Sequence, residues 1–184
     1  MIQYKKYYMP GTKEELLKTI DTIDCTYDIL AGGTDLYAKE KTPFNGADAA
    51  IDISGIKEFS VIKLKKEEGL ITFGSNICIQ QFLEEKVLME NVPILRHAAI
   101  YFADQQIREM ATVGGNVANS SPSGDTIAPL TALEAVIHTI TSKDNKICEK
   151  ETPITEFITG VGKNLLEKGE VISSITCPVL KEYG

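Results

Sequence analysis

Ala31-Gly32-Gly33-Thr34-Asp35-Leu36 stands between a short apolar strand signal, Tyr27 to Ala31, and a helix-like stretch, Thr34 to Lys41. Glycine lets a backbone approach a ligand closely and adopts positive φ without strain. Consecutive amides in such a turn form a nest for anionic oxygens, and a helix start just beyond adds its dipole and unpaired N–H groups. A second segment has the same character: Ala111-Thr112-Val113-Gly114-Gly115-Asn116, continued by Val117-Ala118-Asn119-Ser120-Ser121-Pro122-Ser123-Gly124-Asp125. Thr34, Thr112, Asn116 and Ser120 offer further donors. Two such turns facing one another suit the diphosphate of a dinucleotide. Neither is a Walker loop or the Rossmann G-x-G-x-x-G, and a lone Gly-Gly pair also serves as a plain structural turn.

Around these turns the pattern predicts alternating helices and strands. Thr12 to Glu15 has the capping-box pattern and opens a helix over 13–23, with Leu16, Leu17, Ile20 and Ile23 on one face. Ala49 to Ile53 reads as a buried strand. Phe59 to Lys65 and Leu70 to Phe73 read as a hairpin across Lys66-Glu67-Glu68-Gly69. Ile79 to Glu85 predicts a helix, and Pro93 opens another with Leu95, Ala98, Ala99 and Phe102 along its stripe. The stretch 111–125 reads as irregular. A helix over Thr126 to Leu133 follows, with Asp125 as its cap and Pro129 in the first turn. Val136 to Thr141 and Lys146 to Cys148 read as a second hairpin, Ile154 to Ile158 as a helical turn, and Val171 to Cys177 as a last strand. The expected organisation is an N-terminal αβ lobe over 1–55, an α+β lobe over 56–178 and a tail over 179–184.

Composition excludes several functions. The 184 residues carry 19 Lys+Arg against 26 Asp+Glu, a net charge of −7. This is a poor match for nucleic acid, whose phosphates demand clustered cations. No stretch is long and apolar enough for a membrane span, and the N-terminus lacks a secretory core. Cys25, Cys78, Cys148 and Cys177 are far apart without a CxxC pair, which fits reduced thiols in the cytoplasm better than a metal cluster. His97 and His138 read as structural, and no carboxylate pair suggests acid/base work.

Both glycine segments resemble the two flavin-binding motifs of the FAD domain of molybdenum hydroxylases, the family of xanthine dehydrogenase and the carbon monoxide dehydrogenase medium subunit. The resemblance runs from the helix after Pro10 through AGGTDL, IDISGI, the QIR segment and TVGGN to GEVISSITCP. It implies an α+β, two-lobed FAD-binding domain of the p-cresol methylhydroxylase type. The family's C-terminal lobe would begin about where this sequence ends. By the same resemblance, Ala31, Gly32, Gly33, Thr34 and Asp35 form the first FAD loop, with Leu36 ending its motif, and Thr112, Gly114, Gly115 and Asn116 the second; Ser120 is counted with the cofactor-binding residues as a further side-chain donor. Asp125 contacts FAD as well as capping its helix. Val171 and Ile172 touch the cofactor from the last strand. Phe102 packs near the cofactor by resemblance and in the core by its helical spacing. Arg108, of Gln105-Gln106-Ile107-Arg108, either orients the second loop or makes a surface ion pair. FAD is expected to bind non-covalently, since neither loop holds His or Cys. The implied role is an electron-transfer subunit. It would pass electrons from [2Fe–2S] clusters on a partner to NAD or another acceptor, with the molybdenum cofactor on a further partner. The alternative is a flavin-free structural remnant or docking module of such a complex; a freestanding flavin oxidase is a third reading.

Overall fold

The computed structural model describes residues 4–38, 47–143 and 146–179. The chain starts with β1 (Lys6–Tyr8), α1 (Lys13–Thr22), β2 (Tyr27–Leu30), α2 (Thr34–Ala38) and β3 (Ala49–Asp52). These strands make a parallel sheet in the order β1-β3-β2. β1 is an addition to the predicted elements: three residues, Lys-Tyr-Tyr, carry too little alternation to announce a strand. Thr12 caps α1 as the pattern predicts, its Oγ1 accepting from the Glu15 amide at 3.2 Å; Glu15 Oε2 reaches one residue farther back than in a capping box, accepting from the Gly11 amide at 2.7 Å. The predicted continuation of α2 through Lys41 lies outside the described residues.

A 3₁₀ turn at Lys57–Ser60 leads to β4 (Ile62–Lys65) and β5 (Leu70–Gly74). Phe59 is therefore in the turn and not in the hairpin strand. Its fully buried side chain is anchored in the core that α1 shares with β3. Helices follow as α3 (Gln81–Glu84), α4 (Lys86–Asn91), α5 (Pro93–Tyr101), α6 (Gln105–Met110), α7 (Val113–Asn119) and α8 (Ile127–Ala132). The one helix predicted over 79–85 is thus shorter and has a neighbour, α4. The irregular stretch contains α7, whose two glycines mask a helical period. Thr112 caps it, Thr112 Oγ1 accepting from Gly115 N at 3.0 Å.

The chain closes with β6 (Val136–Lys143), β7 (Lys146–Pro153), α9 (Ile154–Phe157), β8 (Ile158–Gly160), β9 (Lys163–Asn164) and β10 (Val171–Pro178). An antiparallel sheet runs β4-β5-β10-β6-β7. One face of it packs on α3 to α8 around Phe73, Phe82, Leu95, Val113, Leu130 and Ile175. Phe73 and Phe82 meet edge to face, with ring centroids 5.4 Å apart. A second core, with Leu16, Ile51, Ile53, Phe59, Ile140 and Val171, joins the parallel sheet to the antiparallel one. Burying such side chains contributes about 1.5–3 kcal/mol each relative to exposure. It also fixes the two sheets against each other.

All four cysteines are free thiols. Cys177 is fully buried, and burial pushes its thiol up to about 12 from a usual value near 9. Thiolate is the reactive form, so Cys177 is expected to resist iodoacetamide in the native chain at pH 8. The half-buried Cys25, Cys78 and Cys148 react, and unfolding in urea exposes all four. Because the folded value lies above the unfolded one, this thiol's contribution is intact below pH 9. It is lost as pH rises from about 9 toward 12.

Candidate functional site: a cleft between two glycine loops

The carboxyl ends of β2 and β3 deliver Gly32-Gly33 and Ile53 to one crevice, a usual location for ligands in parallel sheets. From the other side come Ser75-Asn76 after β5, the start of α7, the loop 121–124 and the start of β10. Together they enclose a cavity of about 620 Å³. Cofactor sites commonly fall in this range.

The first loop is held close to the second. A Cβ on Gly32 would lie 1.8 Å from Met110 O and 2.6 Å from Met110 C. Only glycine permits that approach. Gly33 takes φ +70°, which turns the chain from β2 into α2. Among the described residues, no hydrogen bond is made by the amides of Gly32, Gly33 and Thr34. Farther along, Asn119 Nδ2 donates to Asp35 Oδ1 at 3.1 Å, tying α2 to the end of α7.

The second loop is built differently from expectation, because its amides are already used. Val113 N donates to Ile77 O at 2.9 Å, Gly114 N to Ser75 O at 2.9 Å, and Asn116 N to Thr112 O at 3.0 Å. Gly115 N is taken by the Thr112 hydroxyl. These bonds seat the loop on residues 75–77. A Cβ on Gly114 would lie 2.5 Å from Ser75 Cβ. The loop therefore forms a wall and offers side chains in place of a nest. Asn116 Oδ1 accepts from Thr126 Oγ1 at 2.5 Å, which leaves its Nδ2 available.

Of the predicted site residues, Ala31, Gly32, Gly33, Thr34, Asp35 and Leu36 line the cavity, as do Phe102, Thr112, Gly114, Gly115, Asn116, Val171 and Ile172. Phe102 is the extended residue that ends α5, not part of its stripe, and it borders both cavity and core. Ser120 is absent from the lining. It is buried in the left-handed conformation with φ 49°, donates to Val117 O at 2.8 Å and accepts from Asn164 Nδ2 at 3.1 Å. Asp125 is also outside the lining and exposed, and it caps nothing. Thr126 holds the cap position of α8, without a side-chain cap bond. Thr126 is instead drawn inward by Asn116, which rotates Asp125 to the surface.

Residues 75, 76, 119, 121, 123, 166 and 170 line the cavity without having been singled out in the sequence. Ser121 and Ser123 sit in the stretch flagged as polar and irregular. The Ser75-Asn76 pair at a strand end is the one local signal that could have revealed that position.

Arg108 settles between its two expected roles in favour of neither. Its Nε donates to Gln80 Oε1 at 2.9 Å, and its Nη1 donates to Phe102 O at 3.0 Å and Ala103 O at 3.1 Å. It clamps the turn that carries Phe102, where Ala103 has φ 36°. Arg108→Ala is expected to destabilise the chain by about 1.5–3 kcal/mol, the range for losing bonds to a charged group. Arg108→Lys restores little, because one ammonium cannot span the fork. Urea unfolding midpoints measure both.

The site fits an anionic, polyol-bearing ligand. The unpartnered amides of the first loop suit phosphoryl oxygens. Ser75 Oγ and Asn76 Oδ1, both sealed in this wall, have no hydrogen-bond partner; an orphan of this kind costs roughly 1–3 kcal/mol until a partner arrives. The two carboxylates among the described residues lining the cavity are occupied by the protein. Asp35 is bonded as above. Glu170 accepts from the Thr139 hydroxyl, and from Glu167 N at 3.0 Å. Among the described residues lining the cavity there is no Lys, Arg, His or Cys, so charge is met by backbone dipoles and no side chain offers a covalent tether.

Residues 2–180 match the family described as the FAD binding domain in molybdopterin dehydrogenase. The nicotinate dehydrogenase FAD-subunit of Eubacterium barkeri is 29% identical over 92% of this chain and 57% of its own length. A putative xanthine dehydrogenase FAD-binding subunit of Escherichia coli is 31% identical over 82% of this chain and 50% of its own. Among solved structures, a carbon monoxide dehydrogenase of Hydrogenophaga pseudoflava superposes with a TM-score of 0.88 at 26% identity, over 98% of this chain and 61% of that one. The chain thus spans about half to three-fifths of the length of these relatives. It belongs to the family of FAD-binding domains of molybdopterin dehydrogenases.

Proposed function

We propose that the chain binds FAD non-covalently in the cleft and serves as the electron-transfer part of a molybdenum-containing oxidoreductase. The observation that carries this reading is the run of three unpartnered amides, Gly32 to Thr34, at the edge of a cavity closed by a second glycine loop. Those amides would take the diphosphate. Asn116 Nδ2 would add a side-chain donor from the opposite wall. Val171, Ile172, Phe102 and Leu166 supply apolar surface that keeps water from a bound ring. The Asp35–Asn119 bond and the Gly32 approach to Met110 hold the two loops at a fixed separation, so little ordering is required on binding. Bound flavin supplies the redox chemistry, accepting electrons singly or in pairs; no side chain of this chain need transfer a proton.

In the proposed complex an iron–sulfur partner delivers electrons and a molybdopterin partner oxidises substrate. NAD or another acceptor removes the electrons. Supporting this are the names of the relatives, which are FAD subunits of nicotinate and xanthine dehydrogenases. Among the described residues no helix is long and apolar enough to cross a membrane.

The test is direct. The purified chain is scanned for flavin absorbance before and after incubation with FAD. Retained yellow colour, released by denaturation as free FAD, is the expected result. A colourless protein that takes up no FAD, alone or with its partner chains, contradicts the proposal.

A further inference from the structure

The wall of the cleft between the two glycine loops contains an unassigned pair, Ser75 and Asn76. Ser75 is 3% exposed and its hydroxyl has no partner. Its backbone is spoken for: its amide donates to Ser173 O at 3.0 Å and its carbonyl accepts from Gly114 N at 2.9 Å. The residue is thus fixed between β10 and the second loop, while its side chain borders the cavity. Asn76 is oriented by chemistry. Its side chain reaches Ile53 O at 2.6 Å, and a carbonyl only accepts, so the contacting atom must be Nδ2. Oδ1 is then left over, buried and unpartnered. The wall therefore buries, beside the cavity, one unpartnered group that donates and accepts, and one that only accepts.

A diphosphate has only acceptors at neutral pH. It satisfies a serine hydroxyl but repels an amide oxygen. A sugar-alcohol hydroxyl both donates and accepts, and satisfies the two together. We infer that Ser75 Oγ and Asn76 Oδ1 form a binding point for a hydroxyl of the dinucleotide's polyol portion, distinct from the phosphate contacts of the first loop. The inference rests on the cofactor reading above. That hydroxyl belongs either to the ribityl chain of the flavin or to the ribose of the adenosine. Both atoms are covered in the ligand-free chain, so binding requires Ser75 to turn between staggered wells and the Asn76 amide to shift toward the cavity.

The experiment compares the wild-type chain with Ser75→Ala, using calorimetric titration with FAD, FMN and ADP, and thermal unfolding of each ligand-free chain. One hydrogen bond lost corresponds to a weakening of roughly five- to tenfold. FAD affinity is expected to fall by that factor. Ligand-free Ser75→Ala should melt no lower than wild type, because the hydroxyl it lacks had no partner to lose. A matching loss with FMN but not ADP assigns the ribityl chain, and the converse assigns the ribose. Equal losses with FMN and ADP place the hydroxyl on a phosphate, which both ligands carry, and overturn the inference. So does unchanged FAD affinity, or a ligand-free variant that melts several degrees lower. If the wild-type chain binds none of the three ligands, the cofactor reading itself fails and takes this inference with it. If the wild type binds FAD and the variant binds it equally, only the inference fails.

Discussion

Gly32→Ala is expected to destabilise the chain by about 3 kcal/mol, the upper end of the range for overpacking, and to weaken FAD by upward of about 100-fold. The first effect follows from where the added Cβ must go. It would sit 1.8 Å from Met110 O and 3.1 Å from Ala111 Cα, both backbone atoms of the segment that leads into the second loop. Neither can swing aside as a side-chain end does. Either the first loop lifts off, or α6 and the second loop shift together. The second effect follows because the amides of Gly32, Gly33 and Thr34 are unpartnered backbone donors at the site. A hydrogen bond to a charged group contributes about 1.5–3 kcal/mol, and each 1.4 kcal/mol is about tenfold in affinity. Misaligning two such bonds therefore gives at least the stated factor. Gly55→Ala is the control. Nothing lies within 4 Å of its added Cβ, and stability should change by less than about 0.5 kcal/mol, as at ordinary surface sites. Urea midpoints and FAD titration measure both variants.

Gly114→Ala is expected to cost a similar amount of stability, about 2–3 kcal/mol, by a different route. Its Cβ would lie 2.5 Å from Ser75 Cβ, 2.7 Å from Ser75 O and 2.9 Å from Ser75 Cα. Relief requires that the start of α7 retreat from residues 75–77. That motion stretches the bonds of Gly114 N to Ser75 O and Val113 N to Ile77 O. The wall of the cleft then opens, and FAD weakens along with the fold. Gly115→Ala, one residue on, meets only Thr112 Oγ1 at 2.9 Å and is exposed. It disturbs a helix cap, and caps contribute about 1 kcal/mol. Urea unfolding should therefore rank Gly115→Ala well below Gly114→Ala in lost stability. Equal losses would mean that the packing of Ser75 on Gly114 is not what seats the loop.

The parts of this site that were legible in the sequence are those whose cause is local. The Thr12 cap, the Gly33 turn and the starts of β2 and β10 depend on neighbours within a few residues. The conformational demand on Gly33 is written into its identity. The convergence of the two glycine segments was also readable, through their resemblance to a known pair of motifs. What could not be read was set by distant partners. The amides of 113 and 114 looked available because the residues that take them, Ile77 and Ser75, lie nearly forty positions earlier. Asp125 looked like a helix cap because it precedes α8. Asn116 instead pulls Thr126 inward and leaves Asp125 in solvent. Arg108 looked like a partner of the second loop or of a carboxylate. Its guanidinium found Gln80 and two carbonyls at the end of α5, a geometry that only the packed turn creates. Phe102 kept its helical spacing in sequence, yet α5 stops one residue earlier.

The division of labour between the loops is the central claim: the first supplies amides, and the second supplies a wall. Amide proton and nitrogen shifts of the ¹⁵N-labelled chain, followed while FAD is added, test it most directly. Gly32, Gly33 and Thr34 should move downfield as their N–H groups gain phosphoryl partners. Val113 and Gly114, already bonded to Ile77 and Ser75, should move far less. A titration that saturates while Gly32, Gly33 and Thr34 stay in place contradicts it.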